Sequence, residues 1–90
     1  MVKEKVKPDQ SNQELLELPK ELVLFNDDVN TFEHVIQTLI DVCEHDNVQA
    51  EQCAWVTHYR GKCGVKNGSF TELKPIKTEM INRKLTVEIK

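Results

Sequence analysis

A two-layer α+β sandwich, a three-stranded antiparallel sheet with three helices on one face, is the fold this 90-residue sequence predicts. Two observations carry that expectation. Short apolar runs, read as strands, alternate with stretches whose apolar residues recur at helical spacing. Helix start signals stand ahead of each helical stretch, and Asn, Asp, Pro and Gly separate the segments. Taken in order, the elements are β-α-α-β-α-β.

Residues 1–19 are polar, without an apolar period, and are punctuated by Pro8 and Pro19. They are expected to form a flexible N-terminal extension, with at most a brief helical turn in QELLELP. Residues 20–90 form the folded core. Glu21 to Phe25, ELVLF, reads as a short buried strand. A loop from Asn26 to Asn30 follows. Asn30 or Thr31 caps the first helix, and Glu33 is placed to complete a capping box with Asn30. Phe32, Val35, Ile36, Leu39, Ile40 and Cys43 make its apolar stripe.

Asp46 is the next N-cap signal, and a second helix is expected from about Val48 to Tyr59. Ala50, Cys53, Ala54, Thr57 and His58 share part of its surface, with Trp55 and Val56 as neighbouring candidates for burial. Gly61 is the stop signal. Lys62 to Gly68 predicts a second strand that closes in an Asn-Gly turn. Ser69 and Glu72 match a capping box for a third helix through about Asn82, with Leu73, Ile76, Met80 and Ile81 inward. Pro75 falls inside this helix, where it removes a backbone donor and favours a bend. Leu85 to Lys90 alternates apolar and polar residues as a half-buried strand does.

Composition narrows the function classes. The net charge of −3 and the interrupted lysines at Lys3, Lys5 and Lys7 argue against phosphate-driven nucleic-acid binding. No apolar run approaches the roughly 18 residues of a membrane span, and the first residues have no apolar signal core. A cytoplasmic location is expected. Cys43, Cys53 and Cys63 form no C-x-x-C pair and read as reduced thiols.

The chemistry-bearing residues admit bland and sharp readings. Asp27 and Asp28 suit turn chemistry, since Asn and Asp bond nearby backbone. Adjacent loop residues point apart, which disfavours a shared-proton dyad. His58 is either a half-exposed helix-end histidine or an acceptor in a pocket. A Cys-His nucleophile built from the three cysteines and His34, His45 or His58 has no orienting third group. No pair of residues has zinc-ligand spacing, so no metal is expected.

Taken together, LVLFNDDVNTFEHV, then AWVTHYRGKCGV, then TELKPIKTEMI are similar to the ClpS family, adaptors of the ATP-dependent Clp protease. The resemblance covers residues 20–90 and rests on a strand ending in Asn-Asp-Asp with His-x-x-Gly-Lys downstream. It implies a non-enzymatic, monomeric adaptor that needs no cofactor. Such a protein binds substrates by an N-terminal Leu, Phe, Tyr or Trp and delivers them to a Clp AAA+ unfoldase of the ClpA or ClpC type. By that resemblance Asn26, Asp28 and His58 accept from the substrate's α-amino group. Leu24, Asn30, Phe32, Val35, Ala54, Thr57 and Leu85 line the pocket for its first side chain. Asp27, Glu72 and Lys77 face the unfoldase, Asp27 with turn-shaping as its other role. The sequence departs from the family pattern at Phe32 and Ala54, where Met is usual. It departs also at Thr57, where an apolar residue is usual, at Asn30 for Thr, and at Val29 for Tyr.

Two other readings stay open at this level. The architecture also resembles the C-terminal domain of the ribosomal stalk protein, an interaction module without N-terminal residue recognition. A small hydrolase using Asp28 and His58 would need a nucleophile or metal in addition.

Overall fold

The computed structural model describes residues 17–90. The expected N-terminal extension lies almost wholly outside the described residues. The elements are β1 (Lys20–Phe25), α1 (Phe32–Cys43), α2 (Asn47–Arg60), β2 (Lys62–Gly68), α3 (Phe70–Asn82) and β3 (Thr86–Ile89). The order β-α-α-β-α-β agrees with the sequence expectation.

The sheet order is β2-β1-β3, both pairings antiparallel, so β1 is central. Leu22 and Leu24 alternate onto one face of β1 and are almost fully buried. Leu39 and Cys43 of α1, Ala50 of α2, and Leu73 and Met80 of α3 close over them as one core. Cross-strand partners share a face: Val87 lies opposite Leu24 on β3 and joins that core. The register between β1 and β2 shifts between Leu22 and Val23, leaving Val65 as the extra residue of a bulge, buried against the helices.

Local signals set most helix ends. Asp46 caps α2, its carboxylate accepting from the Gln49 amide at 2.7 Å. Ser69 and Glu72 form the complete capping box of α3. Gly61 ends α2 at φ +91°, a left-handed conformation that glycine adopts without strain.

Several expectations are corrected. Thr31 alone caps α1, accepting from the His34 amide, while Asn30 is engaged elsewhere and forms no capping box with Glu33. Asn67 and Gly68 do not turn. They pair with Glu21 and Lys20 and extend β2, because the helix cap at Ser69 reverses the chain immediately afterwards. Trp55, Val56 and Ile81 are exposed, not buried. On α2 the buried positions are taken by the small residues Ala50, Ala54 and Thr57, while the large side chains Trp55 and Tyr59 face outward. On α3 it is Leu73 and Met80 that face the core, with Ile76 half-buried beside them. Pro75 leaves α3 as one continuous helix.

Candidate functional site

The site begins where β1 ends. The Asn26 amide donates to the Gly61 carbonyl at 2.9 Å, and the Gly61 amide closes the last turn of α2 onto Thr57 at 2.9 Å. One backbone hydrogen bond thereby sets the loop after β1 against the end of α2 that carries His58. The Asp27 carboxylate holds the loop itself. It accepts from the Val29 and Asn30 amides, each at 3.0 Å, and from the Asn30 side chain. This is Asx-turn chemistry. Partial burial works against ionising Asp27. The hydrogen bonds from Asn30 and Val29, with nearby His34, outweigh it and hold the carboxyl below its ordinary range.

Between this loop, the start of α1, the outer half of α2 and the approach to β3 lies a cavity of about 520 Å³. Its walls include Leu24, Phe32, Val35, Ala54, Thr57 and Leu85. Leu24, Ala54 and Leu85 are buried, Phe32 and Val35 half-buried. Thr57 is polar in name, but its hydroxyl donates to the Cys53 carbonyl at 2.7 Å within the helix. Its one donor is thereby satisfied within the helix, which lowers the polarity it presents to the cavity. Asn26, Asp28 and His58 are exposed and line the same cavity, as does Asn30. Every residue assigned from the sequence to the amino-binding trio and to the pocket therefore lies on one cavity.

Three lining residues escaped the sequence reading: Phe25, Trp55 and Tyr59. Trp55 stands three residues before His58 and four before Tyr59 on one helix, spacings that could have found them. Phe32 packs edge-on against Trp55 with ring centroids 4.7 Å apart and against His58 at 5.4 Å. Trp55 and Tyr59 stack in parallel at 5.0 Å.

The third set is not brought together. Asp27 is in the loop, whereas Glu72 and Lys77 lie on α3 and do not line the cavity. Glu72 completes the helix cap, and hydrogen bonds from the Ser69 amide and then the Ser69 side chain hold its carboxyl below the usual range. The cysteines and remaining histidines are placed structurally. Burial pushes the Cys43 thiol up to about 11. Burial and contact with Cys63 push Cys53 up to about 12, away from the reactive thiolate. The His45 ring donates from Nε2 to the Val65 carbonyl at 2.6 Å, and that of His34 donates to the Arg83 carbonyl at 2.7 Å. Among the described residues no cluster of His, Cys, Asp and Glu is arranged to hold a metal ion. None of their helices is long and apolar enough to cross a membrane.

Comparison with known proteins gives two findings. Residues 18–87 match the family described as ATP-dependent Clp protease adaptor protein ClpS. The fold is similar to that of Agrobacterium tumefaciens ClpS2 bound to L-phenylalaninamide, with a TM-score of 0.68 and 17% identity over 83% of this chain and 96% of that one. At that identity the likeness speaks for the fold. Comparison with curated proteins finds no match.

Proposed function

The chain belongs to the ClpS family of ATP-dependent Clp protease adaptor proteins, and from that premise we propose that its cavity grips the first residue of substrate proteins. The residues it favours there are Leu, Phe, Tyr and Trp. The adaptor, working in the cytoplasm as a monomer without catalysis of its own, then hands its cargo to a Clp AAA+ unfoldase.

The observation that carries this reading is the joining of hydrogen-bond acceptors to an apolar cavity in one small site. A free N-terminus is an ammonium with three donors, and desolvating it unpaired costs several kcal/mol, roughly. The Asn26 side-chain carbonyl, the Asp28 carboxylate and a ring nitrogen of His58 are the three acceptors proposed for it. The Leu24, Phe32, Val35 and Ala54 walls take the attached side chain. An internal peptide nitrogen has one hydrogen, so it would leave acceptors unpaired and be rejected. That the similarly folded Agrobacterium protein is bound to phenylalaninamide, an aromatic side chain beside a free amine, supports the same assignment here. Asp27, Glu72 and Lys77 are the residues proposed to meet the unfoldase, and residues 1–19 the segment it engages.

Fluorescence anisotropy with short labelled peptides tests the reading. Peptides beginning with Phe or Leu should bind when the amine is free and lose binding on acetylation. A Ser-initiated peptide should bind weakly in either form. Equal binding of free and acetylated Phe peptides would overturn the ammonium assignment.

A further inference from the structure

The proposed function uses the inside of the cavity and leaves two exposed aromatic side chains at its mouth unexplained. Tyr59 is 72% exposed and Trp55 47% exposed, yet they stack with only 5° between their planes. They are i and i+4 neighbours on α2, so the helix itself holds the pair in register. The stack continues an array of rings that begins inside the cavity with Phe32 and passes His58, whose ring lies 5.0 Å from that of Tyr59. Exposed tryptophan and tyrosine on a rigid helix are costly to leave in water and well suited to binding. They offer large area with little side-chain entropy to lose.

We propose that the Trp55–Tyr59 stack is a second subsite, which takes a flat aromatic side chain at the second position of the substrate. The proposal rests on the reading that the first residue occupies the cavity. If its ammonium is held at Asn26, Asp28 and His58, the second Cα lies about 3.8 Å from the first. In an extended chain successive side chains alternate, so the second points out of the cavity while the first points in. It then meets the solvent-facing edge of the cavity, where Tyr59 lines the wall beside His58 and is the more exposed of the stacked pair. The occupant is the substrate's own second residue because the ring array is continuous with the cavity wall. An added ring extends the stack or packs edge-on to it, either being a favoured aromatic geometry. A preference of about three- to tenfold over alanine at the second position is expected.

The test compares labelled Phe-Ala and Phe-Trp peptides with free amines on the full chain and on Tyr59→Ala and Trp55→Ala, read as the ratio of their dissociation constants. Phe-Trp should bind the parent chain several-fold more tightly, and the ratio should fall toward one in either variant, whatever happens to the absolute affinities. Circular dichroism spectra of the variants establish that they are folded. Tight binding of Phe-Ala with no gain for Phe-Trp would overturn the second subsite and leave the cavity reading intact. No binding of either free-amine peptide would overturn the cavity reading and the subsite with it. Sedimentation velocity supplies the remaining arm: a dimer that Trp55→Ala abolishes would mean the stack is an interface between copies of this chain, against the proposal.

Discussion

Asn30 and Asp27 are bound to each other through both carboxylate oxygens: Asn30 Nδ2 donates to Asp27 Oδ1 at 3.0 Å and to Oδ2 at 2.9 Å. The same Nδ2 reaches the Lys84 carbonyl at 2.9 Å, fifty-four residues away in the chain. The loop with Asn26 and Asp28 is thus pinned at one end to the close of α2 and at the other to the approach to β3.

Asn30→Ala removes the second pin. Hydrogen bonds to a charged partner contribute about 1.5–3 kcal/mol, less where water competes. A loss of about 1 kcal/mol is expected, read as a lower urea midpoint with an unchanged slope. Binding of a free-amine Phe peptide should weaken as well, although Asn30 is not one of the acceptors assigned to the amine. Unaltered binding would show that the loop needs no pin to Lys84.

Asp27 gives the loop an acid limit. Its carboxyl is held below the ordinary value when folded, so the unfolded chain takes up the proton first as pH falls. The stabilisation is complete above the ordinary carboxylate range and is lost as pH drops through the lower folded value. The melting temperatures of the parent chain and Asp27→Asn should therefore differ most at neutral pH. They should begin to draw together as pH falls below about 4, converging once it is under the lowered folded value. Parallel melting curves at every pH would count against this.

The acceptor assignment makes a sharper claim. Asn26, Asp28 and His58 are exposed, so truncating one should leave the melting temperature nearly unchanged. Asn26→Ala and His58→Ala should nonetheless reduce affinity for a free-amine Phe peptide by tenfold or more, since each strips an acceptor from a charged donor. They should have little effect on the weak binding of the acetylated peptide. A variant with full affinity would remove its residue from the site.

How much of this was legible in the chain follows from the range of the forces involved. Helix ends at Asp46, Gly61 and Ser69 depend on contacts within four residues, and these were readable. Size and apolarity alone place Trp55 inside, as for most large apolar side chains. The inward face of its helix is instead the small-residue one of Ala50, Ala54 and Thr57, a choice visible only when the partner surface is known. From its neighbours Asn30 is as good a cap as Thr31, but one of its partners, Lys84, is remote. His45 shows the same limit, since burial fixes its ring on the carbonyl of Val65 across the fold. The site residues were named through family resemblance. Local patterns alone left the Asn-Asp-Asp turn and His58 open to bland readings, because their convergence depends on the backbone bond from Asn26 to Gly61.

Ala54 decides how large a first side chain the cavity accepts. It is buried in the cavity wall on the turn of α2 that precedes His58, and it stands where the family usually has Met. Ala54→Met would add three heavy atoms at a buried position of the cavity wall, taking space from the first side chain. Room for one methylene is worth about 1–3 kcal/mol in discrimination. The largest side chain should lose most. Affinity for a Trp-initiated peptide should drop by about tenfold relative to a Leu-initiated one, a ratio of dissociation constants insensitive to general weakening of the site. If the variant instead lowers both affinities equally, the added side chain is blocking the entrance and not shaping the pocket. Selectivity would then rest with Phe32, whose ring already leans on Trp55 and His58.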